Sequence, residues 1–283
     1  MNEVWLMLPV FLPVLLGLIF PYIKCLKNRQ QKIGYVGASL VLCGVLSLMI
    51  VCNFGQETSF TLRKLTDALT VYFRIDDVSK LFAVLTTFVW VIVGFYAFGY
   101  MKHEEEEERF YRYYLIVYGV LLGLDFSGNL ITMYLFYEMM TLSSLPLVLH
   151  SRTKEAVMAG LKYLFYSIAG AFLSLLAIFF FYQYGTTMEF TAGGVLNMAK
   201  VAGNEPVLLV VIFLAIIGLA VRLVCFLYMH GFRQRIRWRH PRRARYFPVL
   251  LQKPVYLRLS VLYFSLWVQT LSAEPGYSMR GLD

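Results

Sequence analysis

Two ionisable side chains stand inside long apolar runs, and their types and spacing suit proton handling. Glu138 lies in Ile131-Thr-Met-Tyr-Leu-Phe-Tyr-Glu-Met-Met140, and Lys162 lies in Ala159-Gly-Leu-Lys-Tyr-Leu-Phe-Tyr166. A charge at membrane depth costs at least about 2.5–3.5 kcal/mol, so it persists where a partner or a water-filled path offsets that cost. A carboxylate whose hold on a proton responds to a nearby ammonium is a proton-loading site. Lys suits the second role because it can release its proton on burial, whereas Arg stays charged. The structural alternative for both residues is a polar lock between helices.

Other polar groups carry plainer readings. The acidic run at 104–108 reads as a solvated loop. Asp76 and Asp77 read as a cap where a helix enters the membrane. Tyr111, Tyr113, Tyr114, Tyr118, Tyr134 and Tyr137 read as packing and interface residues, not as a cofactor box. The cysteines at 25, 43, 52 and 225 form no C-x-x-C pair. Neither a metal site nor a disulfide framework is expected from them.

The elements that must position Glu138 and Lys162 follow from composition. Of the 283 residues, 59% are hydrophobic and 15% charged, and the mean hydropathy is +0.64. A soluble domain holds about 45–50% apolar and about 25% charged residues. A soluble enzyme, a disordered chain and a disulfide scaffold are thereby excluded. The expected class is all-α, a polytopic transmembrane bundle of six or seven spans. The apolar runs fall at 3–23, 33–52, 78–101, 110–126, 128–149, 156–183 and 206–229. The first is long enough to span, which argues against a cleaved secretory signal.

Pro146 interrupts the fifth run, and Gly170 and Ser174 permit close helix approach on the sixth. The stretch 53–77 alternates weakly and reads as a hairpin or loop outside the membrane. The loops at 24–32, 102–112 and 150–155 carry nine Lys and Arg, against five on the opposite side. The positive-inside rule then puts those loops in the cytoplasm and the N-terminus outside, in a bacterial-type plasma membrane.

Three stretches carry a resemblance. Arg74-Ile-Asp-Asp-Val-Ser-Lys-Leu-Phe82 resembles the entry to the third helix of the antiporter-like subunits of complex I. Leu135-Phe-Tyr-Glu-Met-Met140 is similar to that family's fifth-helix Glu motif. Glu155-Ala-Val-Met-Ala-Gly-Leu-Lys-Tyr-Leu-Phe165 is similar to its sixth-helix Lys motif. The family comprises large membrane subunits of NADH:quinone oxidoreductase, Mrp-type Na+/H+ antiporters and membrane-bound hydrogenases. The resemblance implies that Glu138 and Lys162 belong to a proton-translocating half-channel. It also implies a non-redox subunit with no catalytic site and no cofactor of its own. Its partners would be other membrane subunits of one complex, the lipid bilayer, protons and possibly Na+.

The family pattern breaks after Val221. Its seventh helix continues into a Lys and then a broken-helix stretch of the type AGMFPLHxWLPxAHPxAPxPxSA. Here Arg222 stands at the position of that Lys, and a basic tail follows. Residues 1–221 hold 15 basic and 15 acidic residues, so the net charge of +9 resides wholly in 222–283. Joining the third base of each codon to the first two of the next gives a reason. From Arg222 to Arg245, permitted codons spell AGMFPLHAWLPTAHPVAPSPASAV, and from Phe247 to Arg258 they spell SGIITKAGVFA. A single lost base near Val221 produces both the tail and Arg222. Two units are therefore expected. Residues 1–221 form an antiporter-like transmembrane domain holding the N-terminal half-channel. The tail, 222–283, is out of frame, has no native fold, and binds no nucleic acid despite its arginines. The chain as it stands would be truncated and inactive in transport.

Two other functions compete. An unrelated secondary transporter would carry repeats with broken helices in corresponding positions, and none is visible in 1–221. A non-transporting packing subunit would keep the helices without the proton chemistry.

Overall fold

A bilayer core offers the backbone no water, so a spanning segment must satisfy its own N–H and C=O groups, and the apolar runs fold as helices. The structure, a computed structural model, describes residues 3–23, 26–53, 58–64, 70–103, 106–150, 152–185, 200, 203–204 and 206–218. The elements are α1 (Leu8–Ile19), α2 (Arg29–Asn53), β1 (Thr58–Lys64), β2 (Thr70–Ile75), α3 (Asp77–Tyr100), α4 (Glu107–Asp125), α5 (Leu130–Val148) and α6 (Lys154–Tyr184). A shorter apolar helix, α7, runs over Pro206–Gly218. Single 3-10 turns at Glu3–Met7 and Phe20–Tyr22 extend α1 at both ends. Among the described residues, five stretches are long and apolar enough to cross a membrane: Trp5–Tyr22, Arg29–Asn53, Asp77–Gly99, Leu130–Val148 and Val157–Tyr184. The chain is a multi-pass helical membrane protein.

Helix α4 is not among those five, because it opens on Glu107, Glu108, Arg109 and Arg112 and is rich in tyrosine. Its place explains its composition. From Tyr114 to Asp125 almost every side chain is buried, with α1 packed most extensively against it and α5 next. A helix enclosed by other helices need not present an apolar surface to lipid. Trp90 of α3 stacks on Tyr114 with ring centroids 4.5 Å apart. The Trp90 indole N–H donates to the Tyr114 carbonyl at 3.2 Å, and the Tyr114 hydroxyl returns to the Trp90 carbonyl at 2.6 Å. The tyrosines of this helix are thus packing residues that carry their own polar partners.

Glycines set how closely the helices cross. A Cβ on Gly17 of α1 would lie 2.8 Å from the Arg112 carbonyl oxygen, and one on Gly119 of α4 would lie 2.3 Å from that of Val10. On α6, Gly170 and Ser174 admit α7 as expected. A Cβ on Gly218 would lie 2.7 Å from the Gly170 carbonyl oxygen and 3.1 Å from Ser174 Oγ.

The stretch 53–77 contains an antiparallel hairpin, with Thr58 opposite Ile75 and Phe60 opposite Phe73, and an irregularity between Thr61 and Arg63. Strand β2 buries Val71, Tyr72, Phe73 and Ile75 against the α4–α5 corner. There the Arg74 N–H donates to the Phe126 carbonyl at 2.9 Å, and the Gly128 N–H to that of Tyr72 at 3.1 Å. Asp76 then caps α3. Its Oδ1 accepts the Ser79 N–H, its own N–H donates to Ser79 Oγ, and Arg74 pairs with Oδ2 at 3.1 Å. Such a cap contributes about 1 kcal/mol.

The basic loops meet at the other end of the bundle. Arg29 pairs with Glu107 at 2.6 Å and donates to the Phe98 carbonyl at 2.9 Å. Lys32 pairs with Glu108, and Arg152 and Arg109 both reach Glu106, at 2.8 and 3.1 Å. The acidic run is therefore more than a solvated loop. Three of its carboxylates tie the starts of α2 and α4 to the approach of α6.

The α1–α4 crossing yields a stability prediction. Gly119→Ala forces a methyl group against the Val10 backbone and should destabilise the chain by about 1–3 kcal/mol, as overpacking does. Gly34→Ala, with open space around it, is the control. Unfolding midpoints in detergent should fall for the first variant only, and equal midpoints would contradict the crossing.

Candidate functional site

Helix α5 starts where it does because Asn129 caps it. The Asn129 side-chain oxygen accepts the Thr132 N–H at 2.8 Å, and its amide donates to the Thr70 carbonyl. The Tyr72 N–H donates to Thr132 Oγ1 at 3.1 Å. The hairpin and the cap together set the register of α5. Glu138 follows eight residues after Leu130, about 12 Å further along the axis at 1.5 Å per residue. It is half-buried, between the buried Tyr137 and the exposed Met139.

Further along α5, Pro146 lies inside the helix, which leaves the carbonyl four residues earlier without its usual N–H. The hydroxyls of Thr141, Ser143 and Ser144 donate to the carbonyls of Tyr137, Met140 and Thr141 at 3.3 Å each. Ser144 also shares a 3.3 Å hydrogen bond with the buried Tyr163 hydroxyl of α6. This bond fastens α6 to α5 one residue away from Lys162.

Lys162 itself is exposed, on the face of α6 that carries Leu161, Phe165 and Tyr166. The two residues named from the sequence thus sit on helices packed against each other, in different surroundings. Among the described residues, no ion pair joins Glu138 to Lys162. Arg222 and the whole tail, 222–283, lie outside the described residues.

One residue that the sequence reading passed over stands out. Asp125, which lies where the fourth apolar run of the sequence meets the fifth, is 6% exposed. The hydroxyl of Thr86 on α3, itself 1% exposed, donates to its carboxyl. Asp125 Oδ2 meets no hydrogen-bond partner among the described residues. Beside this pair the Tyr118 hydroxyl donates to Thr87 Oγ1 at 3.1 Å, and the Thr87 hydroxyl to Ser47 Oγ at 3.3 Å. The available signal was an acidic residue four positions before the α5 cap. Its proximity to Ser127, Gly128 and Asn129 made it resemble a turn.

Comparison with known proteins fits this geometry. Residues 127–229 match the family described as NADH:quinone oxidoreductase/Mrp antiporter, transmembrane. Residues 66–111 match the family described as NADH-ubiquinone oxidoreductase (complex I), chain 5 N-terminus. The chain is 28% identical over 237 residues to a protein of Staphylococcus haemolyticus named "Putative antiporter subunit mnhD2", covering 81% of this chain and 46% of that one. The protein of the same name in Staphylococcus aureus is 25% identical over 227 residues, covering 79% and 45%. The chain thus spans about half the length of these relatives. Among solved structures, a chain of the Mrp complex from Dietzia sp. superposes with a TM-score of 0.61 at 19% identity, over 78% of this chain and 41% of that one. A chain of an archaeal membrane-bound sulfane sulfur reductase superposes with a TM-score of 0.59 at 20% identity, over 77% and 44%. One matched segment contains the β2–α3 entry, and the other contains the α5 cap with Glu138 and Lys162. The chain belongs to the antiporter-like family of membrane subunits that complex I-type oxidoreductases and Mrp antiporters share.

Proposed function

We propose that this chain derives from a subunit that moves protons, or exchanges Na+ for protons, within a multi-subunit membrane complex. Such a complex is of the NADH:quinone oxidoreductase, hydrogenase or Mrp type. The observation that carries the reading is Glu138, a half-buried carboxylate well inside an apolar helix and within the family-matched segment. In this reading Glu138 loads and releases the proton, and the Lys162 ammonium biases which state it prefers.

The exposure of Lys162 supports a place for neighbouring subunits. A charged head on a face otherwise made of Leu161, Phe165 and Tyr166 is costly against lipid. A further membrane segment covering this face offsets that cost. The end of the bundle held by Arg29, Lys32 and Arg152 faces the cytoplasm of a bacterial-type cell, and the N-terminus faces out.

Residues 222–283 are, in this reading, out of frame, with Arg222 in place of a Lys. The neutral balance before Arg222, the excess of basic residues after it and the decoded family motif support this. Arg cannot release its proton in a working cycle. The chain as it stands therefore does not move ions.

Transport measured in vesicles with the partner subunits present, on a chain restored in frame, tests the site. Glu138→Gln keeps the shape and removes the ionisable proton. Transport should fall about 100-fold or more, the scale on which a positioned proton donor and acceptor contributes, while assembly survives. Full transport by this variant would make Glu138 a packing residue. Lys162→Ala should reduce transport less, and Lys162→Arg should not restore it, because Arg keeps the charge without releasing the proton. Parental rates in Lys162→Ala would remove Lys162 from the pathway.

A further inference from the structure

We infer that Asp125 and Thr86 form a second proton-binding site, apart from Glu138, at the hairpin end of the bundle. Asp125 closes α4 where β2 seals the α4–α5 corner. The Phe126 carbonyl is taken by Arg74, Ser127 bridges to Phe73, and the Tyr72 ring packs so closely that a Cβ on Gly128 would lie 2.4 Å from it. Asp125 itself is 6% exposed.

Among the described residues, Asp125 takes its hydrogen bond from a neutral group, the Thr86 hydroxyl of α3, while the nearby Tyr118 hydroxyl of its own helix donates to Thr87 instead. The nearby cations Arg74 and Lys80 pair with Asp76 and Asp77. A buried carboxylate with one hydroxyl donor and one orphaned oxygen costs several kcal/mol if ionised. A proton on Oδ2 removes the charge and leaves Oδ1 to accept from Thr86. A separate run of buried hydroxyls goes from Tyr118 of α4 through Thr87 of α3 to Ser47 of α2. The inference does not depend on the role given to Glu138.

Infrared spectroscopy of the full chain in lipid nanodiscs at neutral pH tests it. Labelling the five aspartates with carbon-13 separates them from the glutamates. One label-sensitive carboxylic-acid carbonyl band is expected. It should vanish in Asp125→Asn, shift in Thr86→Val and stay in Glu138→Gln. A spectrum in which Asp125→Asn removes only ionised carboxylate bands would overturn the site. If that variant fails to fold, Thr86→Val decides alone: a shifted aspartic-acid band upholds the pair, and an absent or unmoved one refutes it.

Discussion

The structure depends on one constraint, that no polar group at membrane depth can look to water for a partner. Helix α4 shows how the constraint is met. It is the most polar and most tyrosine-rich of the long helices, and it is the one the others enclose. Trp90 and Tyr114 exchange side-chain-to-backbone hydrogen bonds across the α3–α4 contact, and Gly17 and Gly119 let α1 press onto α4 at backbone distance. Both ends of α4 are then tied down. Glu107 and Glu108 take Arg29 and Lys32 at one end, and β2 binds the Phe126–Gly128 backbone at the other.

That arrangement positions the candidate site. Because β2 and Asn129 determine where α5 begins, they also determine the depth of Glu138. Because Ser144 and Tyr163 join α5 to α6, they help set which face of α6 turns inward, and the neighbouring Lys162 stays exposed. Glu138 is half-buried on α5 and Lys162 exposed on α6, and the proposed proton path rests on these two surroundings.

Much of this was legible in the residues. Long apolar runs reported their helices because period and length carry the signal there. The entry Arg74-Ile-Asp-Asp predicted a cap, and Asp76 with Ser79 provides it. Glu138 and Lys162 were visible because a charge among apolar neighbours contrasts with its surroundings. The ion pairs of the acidic run were not legible, since the cations that Glu106, Glu107 and Glu108 meet at residues 29, 32 and 152 are distant in sequence. Asp125 was missed for the opposite reason to Glu138: its neighbours Ser127, Gly128 and Asn129 are polar, and its burial depends on segments distant in sequence, Thr86 of α3 among them. The exposure of Lys162 was not legible either, because the face a residue presents depends on which helices its segment meets.

The change of character at Val221 bears most directly on the proposed function, and the chain spans about half the length of the relatives it matches. The decisive measurement is ion transport in vesicles with the partner subunits present, comparing this chain with a version carrying one added base at the codons for Val221 and Arg222. The restored chain should move ions and the present one should not. Comparable transport by both would contradict the out-of-frame reading of 222–283 and the role proposed for a Lys at the position of Arg222.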